Sequence, residues 1–139
     1  MAAQRLTATE GEDVKQDELY DRGRAMRMDM FGEPGVRSID TADDFQEPLQ
    51  DLVTRHCFGD VWSRPGLDGR TRSLLTVAML IGQSRPDQLR NHVKGAVGNG
   101  VTKEELRELL VHASLYYGLP SVSDAWRHVR EALQEADAY

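Results

Sequence analysis

The chain has 139 residues, enough for one domain burying about two-thirds of the surface its unfolded form exposes. Hydrophobic residues make up 40% and aromatics only 6%, which calls for an aliphatic core. Against 17 basic residues stand 23 acidic ones, a net charge of -6 that argues against a nucleic-acid partner, because duplex binding needs a basic face.

No run reaches the roughly 20 apolar residues that span a bilayer, and the acidic start MAAQRLTATEGEDVKQDE does not read as a secretory signal. A soluble, cytoplasmic chain without membrane contact is expected. Cys57 is the single cysteine, so no intrachain disulfide forms, and no Cys/His cluster has the spacing of a metal site.

Residues 1–12 are polar, small and aperiodic and read as a disordered leader, ahead of a helical domain over 13–139. Over 14–31, Leu19, Gly23, Met26 and Met30 share one helical face, and Gly32 with Pro34 stops the helix. The segment EPGVRSIDTADD reads as a loop. Thr41 with Asp44 forms a shortened capping box for a helix through Phe45, Leu49, Leu52, Val53 and Cys57, ending near residues 58–59. Residues 60–67 are a loop with Trp62 and Pro65, and Asp68 N-caps an apolar helix over 69–82.

Ser84 with Asp87 caps the next helix, which runs to Asn99, and Gly100 takes the left-handed position after it. Thr102 with Glu105 forms a capping box, and Val101 with Leu106 a hydrophobic staple, for a helix to Tyr117. Gly118 and Pro120 close it, and Ser121 with Asp124 opens a last helix along Val122, Ala125, Val129 and Leu133. No strand alternation occurs. The expected class is all-α, with five or six helices.

The stretch 62–100 carries the chemistry. His92 borders the apolar positions Leu89, Val93, Ala96 and Val97, where an imidazole serves either as a general acid or base or as a hydrogen-bonded link between helices. Arg64, Arg70 and Arg72 follow Trp62 closely. Guanidiniums bind carboxylates with two parallel hydrogen bonds, whereas a solvated helix start with surface ion pairs is the commoner fate of any one of them. Arg72 borders the apolar positions Leu75, Thr76 and Met79; Arg70 points elsewhere.

Asp60 is either an ion-pair partner for Arg64 or Arg72 or a solvated turn residue. Trp62, Tyr116 and Tyr117 are pocket walls or core anchors. His112 and Tyr116, four apart, meet on one helix face. His56 points away from Cys57, toward the surface or an interface.

Two strings, FQEPLQDLVTRHCFGDVWSRPGLDGRTRSLLTVAML and LRNHVKGAVGNGVTKEELRELLVHASLYYGLP, resemble the carboxymuconolactone decarboxylase family, specifically the γ-carboxymuconolactone decarboxylases of the protocatechuate branch. With YDRGRAMRMDMFGE, the resemblance covers about residues 19–133. It implies an alkylhydroperoxidase D-like helical subunit in a homo-oligomer, a trimer or hexamer with sites near subunit contacts. No metal or organic cofactor is implied.

The implied reaction converts 4-carboxymuconolactone, a small anionic lactone, to β-ketoadipate enol-lactone and carbon dioxide. For that reaction we expect His92, as acid or oxyanion donor, and Arg72, as substrate anchor, to be catalytic, with Arg64, Trp62, Asp60 and Tyr117 binding substrate. Alkylhydroperoxidase-type relatives use a Cys-x-x-Cys pair ahead of the histidine; here Arg85, Pro86, Asp87 and Gln88 stand there, so thiol redox chemistry is not carried over. Departures in IGQSRPDQ, around Gly118 and Pro120, and at Asp60, where glutamate is usual, bear on the substrate. Two alternatives follow: a cofactor-free decarboxylase or isomerase for another lactone or keto acid, and a non-catalytic anion-binding oligomer.

Overall fold

Apolar residues at helical spacing, punctuated by Gly and Pro, produce seven α-helices in the computed structural model, which describes residues 10–139 and side chains from residue 17 onward. They are α1 (Glu10–Phe31), α2 (Glu33–Asp40), α3 (Glu47–Leu52), α4 (Gly69–Gly82), α5 (Pro86–Gly98), α6 (Lys103–Tyr117) and α7 (Leu119–Glu135). Without a break, α3 runs on as a π-helical stretch over Val53–Val61. No strand occurs among the described residues, so the all-α expectation holds with one helix more than its upper count. Of the leader expected over 1–12, residues 1–9 lie outside the described residues and 10–12 belong to α1.

The additional helix is α2, where a loop was expected. Gly32, at φ 70°, breaks α1, and Pro34 then suits the first turn of a new helix because it has no N–H to lose. Val36 is buried, and Arg37 pairs with Glu33 one turn back at 3.1 Å. The Thr41–Asp44 capping box does not form. Thr41 Oγ1 instead donates to the Arg37 carbonyl, and Asp43 accepts the Gln46 N–H at 3.0 Å.

The expected stop at residues 58–59 is also displaced, because the chain widens to i→i+5 hydrogen bonding and continues to Val61. Ser84 is no N-cap: at φ 54° it stands outside α5, which opens on Arg85 and Pro86. The last helix opens two residues earlier than expected, behind Gly118, with Pro120 in its first turn.

The remaining local signals act as read. Asp68 accepts the Thr71 N–H at 2.7 Å, which holds its carboxyl below the usual carboxylate range. Thr102 and Glu105 close a reciprocal capping box, and both staple residues, Val101 and Leu106, are buried. Gly100, at φ 87°, ends α5 in the left-handed region.

Two cores result. The larger lies among α4–α7, around Val77, Ile81, Val93, Leu106, Leu110 and Val129. The smaller joins α1 to the π stretch through Met30, Phe58 and Trp62. Backbones meet there: a Cβ on Gly23 would lie 1.7 Å from the Thr54 carbonyl oxygen, and one on Gly59 2.1 Å from that of Leu19. Only glycine permits this approach, and it brings α1 flush against the π stretch. At the other end of α1, Phe31 lies against α5. The site forms where these elements converge.

Candidate active site

A cleft of about 570 Å³ opens between α1, α2, the α3–π segment and α5. Arg27, Phe31, Gln50, Phe58, Asn91 and His92 are among its lining residues, together with Cys57 and Lys94. No Asp or Glu lines it among the described residues, although the chain carries a net charge of -6. A carboxylate-free hollow in an acidic protein suits an anion.

His92 stands on α5 inside an aromatic box. Its ring meets Phe31 edge-on at 5.7 Å and lies nearly parallel to Trp62, with centroids 6.1 Å apart and planes 23° apart. Phe31 in turn meets Phe58 edge-on at 5.8 Å. Gly95, one turn along α5, makes room for the Phe31 ring, because a Cβ there would come within 2.6 Å of it. The π-helical stretch carries Phe58 and ends at Trp62, whose ring lies 5.6 Å from that of Phe58, and such widenings recur at functional sites.

Burial lowers the His92 pKa from its ordinary value, so the ring is neutral at pH 7. Its Nδ1 is buried and meets no hydrogen-bond partner among the described residues. The expectation of an interhelical hydrogen-bonded histidine therefore finds no support at that atom. A neutral imidazole keeps one N–H to donate and one lone pair to accept.

Trp62 and His92 are brought together as expected, with Trp62 only 8% exposed. Asp60 and Arg64 also meet, through an ion pair at 3.1 Å in which Arg64 is largely exposed and Asp60 partly so. Arg72 donates from Nε to the Leu67 carbonyl and from Nη2 to the Arg64 carbonyl, each at 3.2 Å. It thus holds the 62–68 loop and does not line the cleft. Arg70 pairs with Glu105.

The stripe of α4 that is buried runs through Ser73, Val77 and Ile81, while Leu75 and Met79 face outward. The apolar border read for Arg72 is therefore an outer face, because an apolar run on both sides of a helix does not say which side packs. Tyr117 stands apart from His92, with its ring over Gly82 at the far end of α4. His112 and Tyr116 do meet, at 5.1 Å, on exposed surface.

Arg27 was missed. It lies four residues after Gly23 and three before Met30, on the face expected to be apolar, and is only 7% exposed. A charged residue on an otherwise packed stripe was the available signal. Its guanidinium lies 6.0 Å from the Phe58 ring centre, and burial pushes its pKa down from the ordinary arginine value. Cys57 is half-buried, and burial raises its thiol pKa despite Trp62 and Arg27, which makes it a poor nucleophile.

An all-helical chain with a half-buried imidazole in an aromatic, anion-suited cleft defines the class. Residues 47–131 match the carboxymuconolactone decarboxylase family. The chain is 44% identical over 119 residues to 4-carboxymuconolactone decarboxylase of Acinetobacter baylyi, an alignment covering 85% of this chain and 88% of that one. It is 42% identical over 118 residues to nitrosuccinic acid decarboxylase npaB of Metarhizium robertsii, covering 81% and 82%. The chain belongs to the carboxymuconolactone decarboxylase family.

Proposed function

We propose that the protein is a carboxy-lyase that converts 4-carboxymuconolactone to β-ketoadipate enol-lactone and carbon dioxide in protocatechuate catabolism, without a cofactor. The observation that carries this reading is His92, half-buried between Phe31 and Trp62 with its Nδ1 shut from solvent, in a cleft that no described carboxylate lines. The similarity to the Acinetobacter enzyme over most of both chains supports it.

The substrate's reacting carboxylate sits on a ring carbon next to an α,β-unsaturated lactone. When carbon dioxide leaves, the bonding pair moves through the double bond onto the lactone carbonyl oxygen, giving a dienolate. A proton taken up from the medium then bonds the carbon beside that carbonyl. Site and solvent together must supply a donor at the developing oxyanion, a proton for carbon and an apolar place for the departing group.

His92 is assigned the donor at the lactone carbonyl oxygen, since its ring is neutral and retains an N–H. Trp62, stacked behind it, provides the apolar wall. Arg72, on α4, acts by holding the 62–68 loop, from which Arg64 reaches the substrate with Asp60 of the π stretch beside it, and Tyr117 belongs to the binding surface that a second subunit completes. The protein is read as a cytoplasmic homo-oligomer, a trimer or hexamer; self-association is supported by exposed apolar side chains, Phe45 at 89% and Leu115 at 83%. None of the described helices is long and apolar enough to cross a membrane.

The test is carbon dioxide release and ultraviolet loss on adding fresh 4-carboxymuconolactone to the purified protein. Rapid turnover is expected. The match to nitrosuccinic acid decarboxylase favours, as a second reading, decarboxylation of another acid on this scaffold. Turnover of nitrosuccinate with none of the lactone would replace the first reading by the second.

A further inference from the structure

The cleft holds a cation beyond the groups that decarboxylation itself requires. Two cations line it beside the neutral His92, Arg27 and Lys94, and Lys94 pairs with Glu135 at 2.6 Å. Arg24, one turn before Arg27, spends its two Nη atoms on the two oxygens of Asp40 at 2.8 and 2.9 Å. Arg27 has no carboxylate within ion-pair distance among the described residues.

Its partners are all neutral oxygens: Gln50 Oε1 at 2.9 Å, Thr54 Oγ1 at 3.1 Å and Ser38 Oγ at 3.3 Å. These take three of its five N–H groups, and its Nε–H meets no acceptor among the described residues. Withdrawing an uncompensated guanidinium from water is costly. A neutral amide would tie α1 to α2 and α3 without that cost. The charge makes sense when a ligand brings the missing anion.

We propose that Arg27 anchors the carboxylate that survives the reaction, the acetate arm of 4-carboxymuconolactone, across the Phe31–Phe58 pair from His92. The anchor rests on the decarboxylase reading for the identity of that carboxylate. The division of labour follows from the chemistry. A firm grip on the departing carboxylate would stabilise the ground state and slow its loss, whereas a grip on the other persists through the transition state. Bidentate contact with the arm also turns the ring toward His92 and Trp62.

The experiment compares the intact protein with its Arg27→Gln and Arg27→Lys variants. Calorimetry measures the Kd of muconolactone, which keeps the acetate arm but lacks the carboxylate to be lost, and of its methyl ester. In Arg27→Gln, muconolactone should bind about 10- to 100-fold more weakly while the ester binds as it does to the unaltered protein. Arg27→Lys should fall between, since it keeps the charge without the fork. With 4-carboxymuconolactone, KM should rise by the same factor and kcat should hold, the mark of binding that is equal in ground and transition states.

Equal weakening of acid and ester, or none of either, would overturn the anchor. Should the glutamine variant fail to assemble, the lysine variant carries the same acid-against-ester comparison. Arg27-dependent binding of muconolactone by a protein that releases no carbon dioxide would sink the decarboxylase reading alone. Turnover with a KM indifferent to Arg27 would sink the anchor alone.

Discussion

The indole of Trp62 lies almost parallel to the imidazole of His92, 6.1 Å away and inclined by 23°. This contact joins the end of the π stretch to the middle of α5 and keeps one face of the histidine dry. It makes the chemistry of His92 depend on residues thirty positions away, and it shapes the expectations that follow.

Replacing His92 with Gln should lower kcat by about 10²- to 10⁴-fold if the ring serves as donor or acid. Steady-state kinetics on protein with unaltered assembly checks this. An unchanged kcat would remove His92 from the mechanism.

The acid limb of the pH profile follows from the lowered His92 pKa. The working form is neutral, so kcat/KM should hold at neutral pH and fall as pH drops through that lowered value. An activity that instead rises into the acid range would assign the protonated ring. Stability has the same sign. Below about 6.5 the unfolded chain binds a proton that the folded one refuses, so stability falls with falling pH. Chemical denaturation at pH 7.5 and 5.5 should show this loss, reduced in His92→Gln.

Arg72→Met removes two hydrogen bonds to the backbone of the 62–68 loop. Amide exchange over 62–68 should accelerate, with a stability loss of about 1–2 kcal/mol. If Arg72 only holds the loop, kcat/KM will fall in step with loop opening. If it also touches substrate, the fall will exceed what loop opening accounts for.

Gly23→Ala places a methyl group where the Thr54 carbonyl already stands. Separation of α1 from the π stretch should cost about 3 kcal/mol, toward the upper end for overpacking. A denaturation midpoint equal to that of the unaltered protein would contradict the backbone contact.

Leu115→Asp puts a charge on one of the most exposed apolar side chains. Sedimentation should show a smaller assembly than the unaltered protein forms. A protein that is monomeric both before and after the change would refute the homo-oligomer.

Local chemistry was legible from the residues in order. Asp68 with Thr71, Thr102 with Glu105, and Gly100 act within one turn, so neighbours in sequence suffice to read them. The helical class followed from such signals, and the strings around Trp62 and His92 carried the family resemblance. Where a signal had two local solutions, as with Gly and Pro in EPGVRSID, the reading chose a loop and the chain chose α2.

The tertiary structure decided which faces pack. It buried Ser73, Val77 and Ile81 while turning Leu75 and Met79 outward, set Tyr117 over Gly82, and drew Arg72 onto the loop. It also placed Arg27 within reach of Gln50 and Thr54, and His92 against Phe31 and Trp62. The contacts of Arg27 and His92 join residues more than twenty positions apart. Their geometry depends on how the backbones approach, through Gly23, Gly59 and Gly95, and no periodicity along the chain encodes it. The sequence by itself therefore determined the helices and the family, while close packing between distant segments decided which side chains face the cleft.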